Sequence, residues 1–551
     1  MIKDRLSLSS ETREYLEKFC SERRQGRSGR LHWDSFLVYA YGTQTNPAAV
    51  DLYTWLQEQL GEAADADIEA LIQDYERVGA ILESWDRIST KVRFEPSQYE
   101  EQRQRLLKAL TMEPSIGGLP LGDYVPSDPS RGPVLCTLPP AMRTKNPNQL
   151  LVGLKNTGKT DLMSRMLIHD IRAEDRAVVA IDVDGKLVDL VEGWARSQPD
   201  AEQILQRFVI IDPTAGKHDW SFNPLAMPDN GDLQSASSAV VAGFKAIYKE
   251  PPGSQSQWNQ QTANILRSAV MLLMANGKTL ADLVTLLTDN DFRDILLEEV
   301  ERNRAERPEY ISVLETWAQY KKLARTNQWI VWVEPILNRV IPTLSDPRIR
   351  PILTNAQRDL NFVELILSKK ILLVKLPQRH LNANAVLLGS LIITSLKQVA
   401  SYLGSTMSDR NRSVALYIDG FENLISNETI QLITDNTSQF ELGLIASTRK
   451  LAAFGRNQPP TANAPEAADE MIRMLTCFGS VAAFAVGKED AQLLAAALLS
   501  PASGVRSLTY ASDQEKLNVE MFANQEPRSY IWSHADTPGA LLHLRLPASS
   551  Q

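Results

Sequence analysis

The chain is 551 residues long, 43% apolar and 23% charged, with a net charge of −9; its length calls for two to four domains, and its composition argues against a mainly disordered polymer. Cys20, Cys136 and Cys477 stand far apart, with no CxxC and no Cys/His pairing, which argues against a disulfide framework or a zinc site and fits a reducing cytosol. An acidic chain does not advertise a nucleic-acid partner, although a ring with a basic channel is compatible with an acidic exterior.

The N-terminus alternates charged and apolar residues and lacks the hydrophobic stretch of a signal peptide. No later run approaches the roughly 18 to 20 apolar residues needed to cross a bilayer, so a cytoplasmic protein that does not insert into a membrane is expected. From Ser9 to about Ala109 the pattern is amphipathic and helical, as in YEEQRQRLLKAL, so residues 1–115 are expected as a helical N-terminal domain. Glycine and proline punctuate Gly117 to Pro133, which reads as a linker or a β-edged entry.

Seven short runs follow: NQLLVG, AVVAID, FVIIDP, ILLVKLP, VALYID, LGLIAST and SVAAFAVG. They are continuously apolar rather than alternating, the pattern of strands in a parallel sheet covered on both faces. Between Phe222 and about Val340 only helical pattern is visible, rich in Leu and Trp. The expected architecture is therefore α/β, a nucleotide-binding domain in two parts, 116–235 and 346–551, interrupted by an all-α insertion at 236–345. PPGSQSQ (Pro251 to Gln257) and Gly455 to Glu470 read as polar loops.

Gly153 to Thr160, GLKNTGKT, fits G-x-x-x-x-G-K-[ST] and lies between a strand and an amphipathic helix, the context that motif requires. Glycines let the loop curl so that its N–H groups face phosphate oxygens, Lys159 reaches the outer phosphates, and Thr160 offers a hydroxyl to Mg²⁺. The candidate nucleotide-binding set is Gly153, Asn156, Thr157, Gly158, Lys159, Thr160 and Asp161, with ATP and Mg²⁺ as ligands. The metal also needs a carboxylate at the end of another core strand. Asp182, Asp212 and Asp419 all end strands, and position alone does not choose among them; Asp419, closing VALYID, is the candidate.

Beyond the loop, IDVDGKLVDL, IIDPTAGKHDWSFNPLA, SQWNQQTANILRSAVMLL, DPRIRPILT, KKILLVKLP, ALYIDGFENL and FGSVAAFAVGKEDAQLLA fall in the order of the FtsK/HerA superfamily of P-loop ATPases. Within it the chain resembles the coupling proteins of type IV secretion and conjugation, over about Pro147 to Ala497. The resemblance implies a RecA-like fold with mainly parallel sheet, DNA as partner, a homo-hexameric ring with nucleotide at each subunit boundary, and docking to a DNA-processing or secretion-system protein. It also implies an arginine reaching the neighbour's γ-phosphate, for which Arg348 and Arg350 are the candidates. Arg449, Lys450 and Arg456, and the segment Gln378-Arg379-His380, are candidates to face a channel.

The departures concern chemistry. Family members follow the magnesium aspartate with glutamate; here Gly420 stands in that place, and the polar glutamine of a neighbouring strand end is replaced near Ser447-Thr448-Arg449. Glu422, three residues beyond Asp419, is the candidate substitute for the base that orients water. Two readings stay open: a DNA-translocating or DNA-transfer ATPase, or a hydrolysis-impaired ATP-binding switch that controls assembly or partner docking. In place of the N-terminal transmembrane helices usual in coupling proteins, a soluble helical region is expected here.

Overall fold

The computed structural model describes residues 6, 8–42, 47–61, 65–76, 96–111, 118–124, 132–216, 219–226, 233–246, 260–305, 307–354, 360–406, 412–425, 441–451, 454, 471–499, 519–537 and 540–547. Both predicted polar loops lie outside the described residues. The chain divides into two compact units, one spanning Met1–Glu95 and one beginning at Pro96.

The first unit contains helices Ser10–Arg24, Arg30–Gly42 and Ala49–Leu60, and residues 65–76 are also helical. The Ser9 hydroxyl accepts from the Thr12 amide at 3.2 Å and caps the first helix. Leu16, Phe19, Trp33, Phe36, Leu52, Leu56 and Tyr75 form its core.

The second unit is built on one eleven-stranded sheet. Its strands are β1 Leu119–Tyr124, β2 Val134–Leu138, β3 Gln149–Val152, β4 Ala177–Asp182, β5 Phe208–Ile211, β6 Ile371–Lys375, β7 Val414–Asp419, β8 Leu442–Thr448, β9 Ser480–Ala483, β10 Ser529–His534 and β11 Leu542–Arg545. Their spatial order is β2-β1-β11-β10-β9-β3-β8-β7-β4-β6-β5. From β9 to β5 every pairing is parallel, and these seven strands are the seven apolar runs. The remaining four add an antiparallel wing through β10.

Both faces of the parallel part are covered, which is why its strands are apolar throughout. Leu150, Val152, Val179, Ile181, Leu416 and Ile418 point into one core, while Leu151, Val178, Ala180 and Ala415 point into the other. Helices Lys159–Ala173 and Lys186–Ser197 supply the second face, together with Leu106 and Leu110 of helix Pro96–Thr111. That helix falls inside the stretch expected as the N-terminal domain, yet its apolar residues are buried with β2.

Between β5 and β6 the described elements are helices, among them Gln260–Ala275, Asn290–Arg302, Tyr310–Tyr320 and Asn327–Ser345. The Arg293 guanidinium lies 5.6 Å from the Trp317 ring centroid and 5.3 Å from that of Trp329, and donates to the Leu286 and Leu287 carbonyls. Two tryptophans of the insertion, Trp317 and Trp329, are thus spent on a cation–π cluster in its core. One correction concerns the apolar runs. Helix Ala383–Thr406 is long and apolar enough to cross a membrane by length and composition, and 67% of its most apolar window is buried inside the protein. Gly389, Ser390 and Thr394 break up its sequence pattern, while in the fold it fills the core opposite the nucleotide loop.

Candidate nucleotide site

The loop after β3 is tethered at its start, where the Gly153 amide donates to the Thr448 carbonyl at 3.2 Å and the Leu154 amide to that of Ala485 at 2.7 Å. It then turns through left-handed backbone at Asn156 (φ 63°) and Gly158 (φ 117°) into helix Lys159–Ala173. A Cβ at Gly153 would stand 2.6 Å from Phe484 Cβ, and one at Gly158 3.1 Å from the Phe484 ring. Phe484, just past β9, is therefore a steric reason for both glycines.

Lys159 folds back over this loop. Its Nζ donates to the Gly153 carbonyl at 2.6 Å and the Leu154 carbonyl at 2.8 Å, and Thr157 Oγ1 donates to the same Leu154 carbonyl at 2.8 Å. Burial pushes the Lys159 ammonium down to about 8, against the opposing pull of the Asp419 and Glu422 charges. A buried ammonium held by two loop carbonyls beside a main-chain curl is a donor set that fits phosphate oxygens. Asp161, in the first helical turn, pairs with Arg165 at 3.1 Å and with Arg528 Nη2 at 2.7 Å. Arg528 also donates its amide to the Thr157 carbonyl at 2.9 Å, so the approach to β10 braces the loop from behind. No motif in the sequence announces Arg528.

The three strand-ending aspartates have separate tasks. Asp182 accepts from the amides of Asp184, Gly185 and Val188, closing the turn into helix Lys186–Ser197; burial raises its carboxyl to about 6 despite those bonds. Asp212 accepts from the Thr214 amide and hydroxyl as a turn former. Asp419 accepts from Thr160 Oγ1 at 2.8 Å, and its other oxygen accepts from Ser447 Oγ. Ser447 stands opposite Asp419 in the register of β7 and β8, and β8 lies between β3 and β7. Thr160 and Asp419 are oxygen donors of the kind Mg²⁺ takes alongside waters and phosphate. Among the described residues no group of three His, Cys, Asp or Glu is gathered to hold a metal.

A buried network sets the spacing of these donors. Tyr417, two residues before Asp419, donates to Asp170 Oδ2 at 2.6 Å, and Arg143 grips Asp170 through two bonds of 2.6 and 2.5 Å. Burial alone would raise the Asp170 carboxyl, but the Arg143 charge holds it well below the ordinary carboxylate range. Because Asp170 lies on helix Lys159–Ala173, the network ties that helix to β7.

After Asp419 the backbone is left-handed at Gly420 (φ 82°), and Phe421–Asn423 form a single helical turn. Asn423 closes it by donating to the Gly420 carbonyl at 3.1 Å. Glu422 sits in this turn with its side chain 14% exposed, its Oε1 3.7 Å from Arg449 Nε, and its Oε2 buried without a hydrogen-bond partner among the described residues. The turn thus brings the Glu422 carboxylate close enough for its charge to act on Lys159.

The two candidate arginines lie elsewhere. Arg348 pairs with Asp346 through bonds of 2.9 and 2.8 Å and donates to the His380 carbonyl at 2.7 Å, just beyond β6, while Arg350 is exposed. Four strand spacings, about 19 Å, separate β6 from β3, so neither arginine joins the loop of its own chain. Of the candidate channel residues, Arg449 turns instead to Asp184 and Glu422, Lys450, Arg379 and His380 are exposed, and Arg456 lies outside the described residues.

No family model matches the chain, and no curated protein matches it. Among solved structures it is similar to the plasmid coupling protein TrwB in complex with ADP and Mg²⁺, at 14% identity and TM-score 0.47, over 76% of this chain and 89% of that one. TrwB in complex with a non-hydrolysable ATP analogue gives 14% identity and TM-score 0.49, over 75% and 88%. VirB4 of Thermoanaerobacter pseudethanolicus gives 15% identity and TM-score 0.45, over 79% and 98%.

Proposed function

We propose that this chain binds ATP with Mg²⁺ at the loop Gly153–Thr160 and hydrolyses it as the motor of a DNA-translocating or DNA-transfer assembly. The observation that carries the reading is the junction of Thr160 with Asp419 beside the buried Lys159, two elements 259 residues apart that meet where a metal–triphosphate needs them. Glu422, with one oxygen unpartnered, is the group that orients water in place of the residue missing at Gly420. The working form is a homo-hexameric ring in the cytoplasm, threaded by DNA and docked to a DNA-processing or secretion-system protein. Arg348 or Arg350 serves the neighbouring subunit's nucleotide, in keeping with their separation from the loop of their own chain.

When bound, the metal supplies Lewis-acid stabilisation of phosphate charge. The chain's own part is to seat the triphosphate on the loop amides, hold Lys159 against its outer oxygens, and place the Glu422 carboxylate where it accepts a hydrogen bond from water. The test is ATP turnover of the purified protein with and without DNA, alongside its mass with and without nucleotide. DNA-stimulated turnover and a nucleotide-dependent hexamer are expected; absence of nucleotide binding overturns the reading. Gly420 favours the alternative of a silent ATP-dependent switch, which tight ATP binding with no turnover would support and strong turnover would eliminate.

A further inference from the structure

Arg528 stands where an arginine is out of place. The Ser529 amide donates to the Glu526 carbonyl at 3.0 Å, closing a four-residue turn with Pro527 second and Arg528, in left-handed backbone (φ 69°), third. Proline followed by positive φ is the pattern of a type II turn, whose third position calls for Gly or Asn because a Cβ is strained there. Such strain persists only where the surroundings over-determine it. Here main chain and side chain are both engaged: the Arg528 amide donates to the Thr157 carbonyl at 2.9 Å, and its carbonyl accepts from the Leu546 amide at 2.8 Å. Its Nη2 donates to the Pro547 carbonyl at 2.6 Å and lies 2.7 Å from Asp161 Oδ2. Arg165, on the helix that the loop opens, doubles the clamp by donating to the Pro547 carbonyl and to Asp161 Oδ1, each at 3.1 Å.

We propose that Arg528 is a positioning residue of the nucleotide loop, whose clamped side chain holds its own main chain left-handed so that its amide sets the peptide plane between Thr157 and Gly158. The inference rests on the nucleotide-binding reading above and adds what keeps that loop in its binding form. A trans peptide is planar, with its C=O and N–H pointing opposite ways. Because the Thr157 carbonyl is held on the side of Arg528, the Gly158 N–H points away from it, and among the described residues none accepts from that N–H. An amide so directed, at the residue before Lys159, is what a cradle for the inner phosphates needs. The two main chains also touch, since a Cβ at Gly158 would stand 3.3 Å from Arg528 Cα. If the turn relaxes toward ordinary backbone, the Thr157 carbonyl loses its donor and the peptide can rotate. The guanidinium, held by Asp161 and Pro547, acts through the main chain and not on the phosphates.

Tolerance of left-handed backbone is therefore the readout, because neither charge nor size follows it. Affinities for ADP and for a non-hydrolysable ATP analogue, each with Mg²⁺, are measured by calorimetry on the full chain, beside the thermal midpoint. Wild type is compared with Arg528→Ala, Arg528→Asn and Arg528→Gly. Arg528→Ala loses the clamp and keeps the Cβ; it is expected to weaken both nucleotides about 10- to 100-fold, the worth of a charge-assisted bond, since loop amides serve phosphates common to both. Arg528→Gly and Arg528→Asn lack the guanidinium equally, yet are expected to bind both nucleotides within about threefold of wild type, because they settle in left-handed backbone without a clamp. Should Arg528→Ala fail to fold, Arg528→Gln takes its place. Affinities unchanged in every variant, with only the midpoint moved, would reduce Arg528 to a structural residue and overturn the proposal. So would Gly and Asn variants as weak as Ala, the mark of a guanidinium that touches the nucleotide itself, or a loss confined to one nucleotide. Wild type binding neither nucleotide would instead defeat the nucleotide-binding reading.

Discussion

The two halves of the candidate site were shaped under different constraints. On the β3 side, residue choice is fixed by close approach: Phe484 leaves no room for a Cβ at Gly153 and crowds one at Gly158, where the backbone is also left-handed, and Lys159 is pinned to two carbonyls of its own loop. On the β7 side the aspartate keeps its place between Thr160 and Ser447, but the residue after it adopts φ 82° and the next carboxylate, that of the proposed Glu422, sits in a helical turn two residues later. Binding geometry therefore tolerates little change, whereas a water-orienting carboxylate can be supplied by any backbone path that brings it to the same edge. The difference teaches that the absence of glutamate at position 420 is a statement about the route of the chain before it is one about chemistry.

The largest expected effect breaks the first half. Lys159→Ala removes the ammonium from two loop carbonyls and from the phosphates, and is expected to weaken ATP about 10²- to 10⁴-fold, judged from several charge-assisted bonds lost together, with turnover falling to background. Calorimetry and a phosphate-release assay check it. Glu422→Gln tests the second half: turnover is expected to fall about 10²- to 10⁴-fold with ATP affinity nearly unchanged. Turnover equal to wild type would remove Glu422 from the reaction and return the question to the switch reading.

A subtler measurement sharpens the contrast through pH. Burial lowers Lys159 from its ordinary 10.5 to about 8 in the unliganded fold. Between those values the unfolded chain binds more protons than the folded one, so unliganded stability rises with pH across that window, recovering a penalty of about 3 kcal/mol that is in full force below pH 8. Binding of a phosphate calls for the charged lysine, so ATP affinity is expected to move the opposite way, weakening up to about tenfold per pH unit above 8. A flat affinity profile between pH 7.5 and about 9.5, measured with the same buffer ions, would show that Lys159 stays protonated throughout.

Legibility in the sequence followed the range of the interactions. The seven parallel strands were plain because burial on two faces forces runs such as AVVAID and VALYID, and the loop proposed to bind nucleotide stood out because its glycines, lysine and threonine fall within eight residues. The antiparallel wing was not: β11 alternates buried Leu542 and Leu544 with exposed residues over four positions, and β1 is interrupted by a shift in register between Pro120 and Gly122. Ser447 and Arg528 escaped assignment, and Arg449 was expected to face a channel rather than to pair, for another reason. Each gains its place from a partner far along the chain, as Arg449 does from Asp184 across 265 residues, and no local spacing records such a meeting. The choice among Asp182, Asp212 and Asp419 likewise needed the fold, since all three end strands and only hydrogen bonding separates the caps from the residue joined to Thr160.

The smallest expected effect bears directly on the difference between the halves. Gly420→Glu places an acidic residue directly after Asp419, the proposed magnesium ligand, so on sequence alone it is a gain of function. In the fold, φ 82° puts an L-residue into left-handed backbone at a cost of about 1 to 2 kcal/mol, and its Cβ would lie 3.2 Å from Val183 Cβ and 3.3 Å from Asn423 Nδ2. The variant is expected to lose a few degrees in thermal midpoint and to turn over ATP no faster than wild type, because relieving the strain unwinds the turn that carries Glu422. A several-fold rise in turnover with an unchanged midpoint would show instead that the edge of β7 accepts the acidic residue directly, and that the protein had relinquished hydrolysis at a position where it could easily have been kept.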